Sequence, residues 1–118
     1  MSYQQVSIQD RTKKFAVRIV KAWVWLEEES KVPRTLGNQL LRSGTSIGAN
    51  CSEAKSAQSR RDFISKYEIA LKEARETKYW LEVLIEAELV SLEKFKALIQ
   101  ETEEIIKILV TTVKKLKE

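Results

Sequence analysis

Two stretches of the chain repeat mostly apolar residues at alternating steps of four and three. Phe63, Tyr67, Ala70, Ala74, Thr77, Leu81 and Leu84 form one series. Phe95, Ile99, Thr102, Ile106, Leu109, Val113 and Leu116 form the other. Such steps hold side chains on one face of an α-helix, in the heptad manner of helices packed nearly side by side. The first of these helices is expected to open at Ser59, where "SRRD" matches a loose capping box, and to reach about Glu88. The second opens at Ser91 and runs towards the C-terminus.

The front of the chain supplies two more helices. One spans roughly Asp10 to Glu29, and "SKVPRT" follows with the only proline. Pro33 blocks helix continuation and biases Val32 towards extended backbone. The next helix runs from about Thr35 to Ala57. Short connections make neighbouring helices antiparallel, so the pattern predicts an all-α, up-down-up-down four-helix bundle. Residues 1–118 form one domain in this reading.

"LLRSGTSIGANCSEA", Leu40 to Ala54, looks like a loop by composition. Projected at about 100° per residue, however, Leu36, Leu40, Gly44, Ile47, Cys51 and Ala54 share one arc. Gly37, Gly48 and Ser52 border it, and Asn38, Gln39, Arg42, Ser46, Asn50 and Glu53 lie opposite. A loop has no reason to keep that segregation. Glycine inside a helix costs roughly 1 kcal/mol against alanine. Gly44 and Gly48, one turn apart, are therefore read as a groove that lets a neighbouring helix come close. The stretch lacks the Gly-Lys-Ser/Thr ending of a phosphate-binding loop, and no strand precedes it.

Composition narrows the chemistry. The chain has 43% hydrophobic and 32% charged residues with 3 Gly and 1 Pro, a mix typical of a soluble helical protein. No apolar run approaches the ~20 residues that span a bilayer. "MSYQQVSIQD" has no apolar signal core, and a lone Cys51 cannot close an internal disulfide. A cytoplasmic protein without membrane attachment is expected. There is no histidine, which removes the usual general base and metal ligand. Glu73 with Glu76 and Glu101 with Glu104 stand three apart, as carboxylates that solvate a helix face do. Cys51 falls on the apolar arc as an unreactive small hydrophobe. No catalytic residue, metal site or cofactor is expected, and the protein is read as a non-enzyme.

Charge and surplus apolar surface point to binding instead. The formal charge is +4 overall, and residues 1–26 alone hold five basic side chains against one acidic. Arg11, Lys14, Arg18 and Lys21 line one face of the first helix, and Trp25 continues the line a turn later. A cationic row suits a phosphate backbone, and an aromatic beside it suits an unpaired base. Arg42, Arg60 and Arg61 are candidates to extend that surface. A solvated face with Trp25 in a subunit contact is the competing reading. The first helix is apolar over more than half its circumference, wider than a monomeric bundle needs. Ile69, Trp80, Val83 and Ala87 likewise lie away from the heptad core of the third helix. Trp23, Ile69, Trp80 and Val83 are therefore candidate interface residues.

"LLRSGTSIGANCSEA" and "DFISKYEIALKEARETKYWLEVL" also resemble a family over nearly the whole chain. It is the bacterial four-helix-bundle family of 23S rRNA intervening-sequence proteins, sometimes labelled S23 ribosomal protein. Relatives include the accessory protein of diversity-generating retroelements. The resemblance implies a barrel-shaped homopentamer with a basic surface for RNA or DNA. In the retroelement branch it also implies partnership with a reverse transcriptase. Two function classes are thus in play: a nucleic-acid-binding oligomer, and a structural or protein-scaffolding bundle.

Overall fold

The structure is a computed structural model that describes residues 7–118. The first six residues of "MSYQQVSIQD", read above for a signal core, lie outside the described residues. Four helices follow one another: α1 Ile8–Glu29, α2 Arg34–Ala54, α3 Arg60–Glu86 and α4 Leu92–Leu116. Three of them begin on serine. The hydroxyls of Ser7, Ser59 and Ser91 accept from the amides of Asp10, Asp62 and Lys94 and so satisfy one orphan donor each. The Asp62 carboxylate accepts from the Gln58 amide, one residue short of the capping-box partner. α2 starts directly after Pro33, whose fixed φ suits entry into a helix.

Helices neighbouring in sequence pack antiparallel, α1 on α2, α2 on α3 and α3 on α4, while α1 and α4 approach only loosely. The bundle measures 44 × 35 × 20 Å, so in its thinnest direction it is about two helix diameters deep. No helix among the described residues is long and apolar enough to cross a membrane.

The core follows the arcs expected for α2 and α3 except at their first members, Leu36 and Phe63, which are only half-buried. Leu40, Gly44, Ile47, Cys51 and Ala54 are buried from α2, and Tyr67, Ala70, Ala74, Thr77, Leu81 and Leu84 from α3. Helix α4 departs from expectation. Its buried series is Phe95, Leu98, Thr102, Ile105 and Leu109, whereas Ile99, Ile106, Val113 and Leu116 are only half-buried. Helix α3 covers α4 closely while α1 approaches it only loosely, so the buried stripe is narrower than the expected series and rotated from it.

The small residues of α2 face α1. A Cβ at Gly44 would lie 2.7–2.9 Å from three side-chain carbons of Ile19. A Cβ at Gly48 would lie 2.9 Å from the Thr12 carbonyl oxygen, which is backbone and cannot swing away. Gly37 is different, since a Cβ there would meet the Trp23 ring at an ordinary 3.7 Å. Buried hydroxyls are satisfied locally: Thr12 donates to Ile8 O, Thr102 to Leu98 O, and Ser43 and Thr77 meet at 3.0 Å across α2 and α3. Cys51 is fully buried, and burial pushes its thiol up to about 11. A thiol so placed is inert.

Candidate nucleic-acid interface

The α1 stripe borders the loose seam between α1 and α4. Arg11, Lys14, Phe15, Arg18 and Glu101 line an open cleft of about 320 Å³ there. Lys14, Arg18 and Lys21 are exposed and make no ion pair among the described residues. Arg11 behaves differently. Its guanidinium donates from both Nε and Nη2 to the Glu101 carboxylate, at 2.7 and 2.9 Å. That hydrogen bonding holds Glu101 below the usual carboxylate range and raises Arg11. One member of the expected row thus arrives largely neutralised.

Trp25 is also engaged. Its ring stands edge to face against buried Phe95, with centroids 6.0 Å apart, and the Lys94 ammonium lies 4.5 Å above it. The indole closes the upper part of the α1–α4 seam. Half-buried against Phe95, it is not a free-standing platform for a base.

The other arginine candidates are scattered. Arg42 reaches across to α3 and pairs with both Glu73 and Glu76. The Trp80 indole N–H donates to the same Glu76 carboxylate at 3.1 Å. These partners, Trp80 first and Arg42 next, hold Glu76 below the usual carboxylate range. Arg42 is therefore a link between α2 and α3. Arg60 donates to the Leu116 carbonyl and so caps the end of α4, while Arg61 is exposed and unpaired among the described residues. The interface candidates divide too. Trp23 packs on Gly37 and donates to Asn38, Trp80 and Val83 are half-buried, and Ile69 is exposed.

The Glu76 network predicts acid sensitivity. A carboxylate whose folded pKa is depressed adds stability that is present above its unfolded pKa, about 4.3. That stability is lost as pH falls through the lower folded value. The melting temperature should therefore hold steady above about pH 5 and fall below about pH 4. Glu76→Gln should start lower and show a shallower fall, which thermal melts read by circular dichroism across this range will check.

Antiparallel packing gathers charge that the linear order conceals. The start of α1, the end of α2, the start of α3 and the end of α4 share one end of the bundle. When each helix is divided at its midpoint, connectors are assigned to the nearer end, and the midpoint residues Glu73 and Glu104 are counted with the other half, this half holds thirteen basic and five acidic side chains. The opposite half holds eight basic and twelve acidic ones. A net +8 thus faces a net −4 across one small domain. Helix dipoles alternate in such a bundle and largely cancel, so the asymmetry belongs to the side chains. Besides Arg60 on its carbonyl, Lys13, Lys14, Arg18, Lys55, Arg61, Lys72, Lys114 and Lys115 are its exposed cations without an ion pair among the described residues. Sequence reasoning omitted Lys13, Lys55, Lys72, Lys114 and Lys115. The run "VKKLKE" was the available signal for the last two, and it gains meaning only when the fold sets it beside "RTKK" and "SRRD".

Two comparisons with known proteins agree with this architecture. Residues 4–111 match the model of the family described as 23S rRNA-intervening sequence protein. A crystal structure of an S23 ribosomal protein family member of unknown function from Bacteroides thetaiotaomicron superposes with a TM-score of 0.86 at 48% identity. The match covers 92% of this chain and 99% of that one. No functionally curated protein matches.

Proposed function

The chain belongs to the 23S rRNA-intervening sequence protein family, and we propose that it acts as a non-enzymatic, homo-oligomeric binder of nucleic acid. The basic half of the bundle meets the phosphate backbone. The observation that supports this reading is the segregation of +8 from −4, with the cations of the basic half mostly exposed and unpaired. Backbone contacts by Lys and Arg supply affinity without base selection, so binding should be largely independent of sequence.

Self-association has its own support. Val17, Val20 and Val24 form an exposed ridge on α1, at 48%, 43% and 40% exposure, and Tyr79 and Ile69 are exposed on α3. Burying such surface in a second copy removes apolar area from water, and aromatic anchors such as Trp80 and Tyr79 suit the centre of that contact. The family resemblance favours a closed ring of five. Rotation about one axis places equivalent ends of all subunits on the same side. With bundle axes near the ring axis, the basic halves would share one face and bind multivalently.

Light scattering combined with a salt titration of affinity tests both parts. The assembly should weigh five times the 13.7 kDa chain, and log affinity should fall by about 0.7–0.9 per phosphate contact for each tenfold rise in salt. A mass near one chain removes the assembly. Absence of binding to RNA and DNA at low salt leaves the scaffolding reading in its place.

A further inference from the structure

We infer that the ligand of the basic half is double-helical nucleic acid, held by its phosphates, and not an unpaired strand held by its bases. The inference rests on the nucleic-acid reading above and names the form of nucleic acid that this surface fits.

Tight, sequence-tolerant capture of a single strand uses aromatic side chains as stacking platforms beside the cations. Among the described residues, the aromatics near this charge are all occupied. Phe15 and Tyr67 are buried, and Phe63 is half-buried and set edge to face on Tyr67 with centroids 5.2 Å apart. Trp25, the nearest aromatic along the α1 stripe, is committed to Phe95 and covered by Lys94. The one well-exposed aromatic among the described residues is Tyr79, at 56% exposure, and it stands in the acidic half.

What the basic half does offer is charge on rigid supports. Lys13, Lys14 and Arg18 project from one helix, Lys114 and Lys115 from the last turn of another, and Arg61 from the first turn of a third. A duplex presents two strands of phosphate in a fixed array, one charge per ~1.7 Å of axis, against ~3.4 Å for a single strand. Fixed cations meet a fixed array with little ordering cost, whereas a flexible strand must be ordered without the compensation of stacking.

Fluorescence anisotropy on the assembled wild-type protein decides the matter. The probes are one labelled RNA duplex, one labelled DNA duplex of equal length, and their separated strands, chosen not to fold on themselves. Both duplexes should bind about tenfold or more tightly than any separated strand, with the steeper salt dependence. Trp25→Phe should change no affinity by more than about twofold, because the ring does not stack on bases. Single strands that bind as well as duplexes, or a selective loss of strand binding in Trp25→Phe, would overturn the inference and leave the broader reading intact. Binding by no probe at low salt would remove that reading, and the inference with it.

Discussion

Gly48→Leu is expected to destabilise the protein, because the added side chain has nowhere to go. Its Cβ alone would stand 2.9 Å from the Thr12 carbonyl oxygen and 3.1 Å from the carbonyl carbon. Those are backbone atoms of α1, so the whole helix must move away. Overpacking of this kind costs about 1–3 kcal/mol. The better helix propensity of leucine returns at most about 1 kcal/mol. For a chain of this size the net loss should lower the melting temperature by several degrees, at roughly 4 °C per kcal/mol. Moving α1 also displaces the Val17–Val20–Val24 ridge, so self-association should weaken together with stability. Gly37→Ala is the control. Its Cβ would meet Trp23 at an ordinary 3.7 Å, so this change should be neutral or slightly stabilising. Equal melting temperatures for wild type and Gly48→Leu would mean that α1 and α2 do not approach as described.

Much of the fold was legible in the sequence because local signals and tertiary packing agree. Serine caps, a single proline and uninterrupted apolar periodicity marked the helices. The segregated face of "LLRSGTSIGANCSEA" placed the glycines on a helix towards a neighbour. Helix α4 was read less well, since periodicity reports which residues could be covered and not how closely a neighbour lies. With α1 standing off, Ile99 and Ile106 keep part of their surface in solvent.

The candidate site was legible only in part. Helical spacing correctly set Lys14, Arg18 and Lys21 on one exposed face. It could not show that Arg11 would meet Glu101, ninety residues away, or that Arg42 would meet Glu73 and Glu76. Those glutamates were read as solvating a helix face, whereas each set holds an arginine across a helix boundary. Trp25 was left between a stacking group and a subunit contact, because its place on α1 is known from sequence and its contact with Phe95 is not. Long-range pairing decides which charges are spent and which are free, and no periodicity encodes it.

The largest functional effect is expected from reversing the free basic-half cations of α1. Lys13→Glu, Lys14→Glu and Arg18→Glu together remove three attractive charges from the basic half and install three repulsive ones. All three residues are exposed and unpaired, so the fold does not depend on them for an ion pair. Substitutions of that kind usually cost little stability. Each subunit of an assembly carries the change, so the loss is repeated around any ring. Affinity for duplex nucleic acid at low salt should fall on the order of 100-fold or more, given about 0.9 counterions released per phosphate contact. The matched control reverses Lys31, Arg75 and Lys96, three exposed cations of the acidic half that make no ion pair among the described residues, and changes the net charge by the same amount. Side-by-side anisotropy titrations of wild type and both triple variants, with circular dichroism and light scattering to show intact helices and assembly, test the central claim most directly. The account predicts that the α1 variant loses binding while the control stays within about threefold of wild type, beyond the long-range field that salt screens. Equal losses in both variants would show that only overall charge matters, and unchanged binding by the α1 variant would contradict the assignment of the basic half as the nucleic-acid surface.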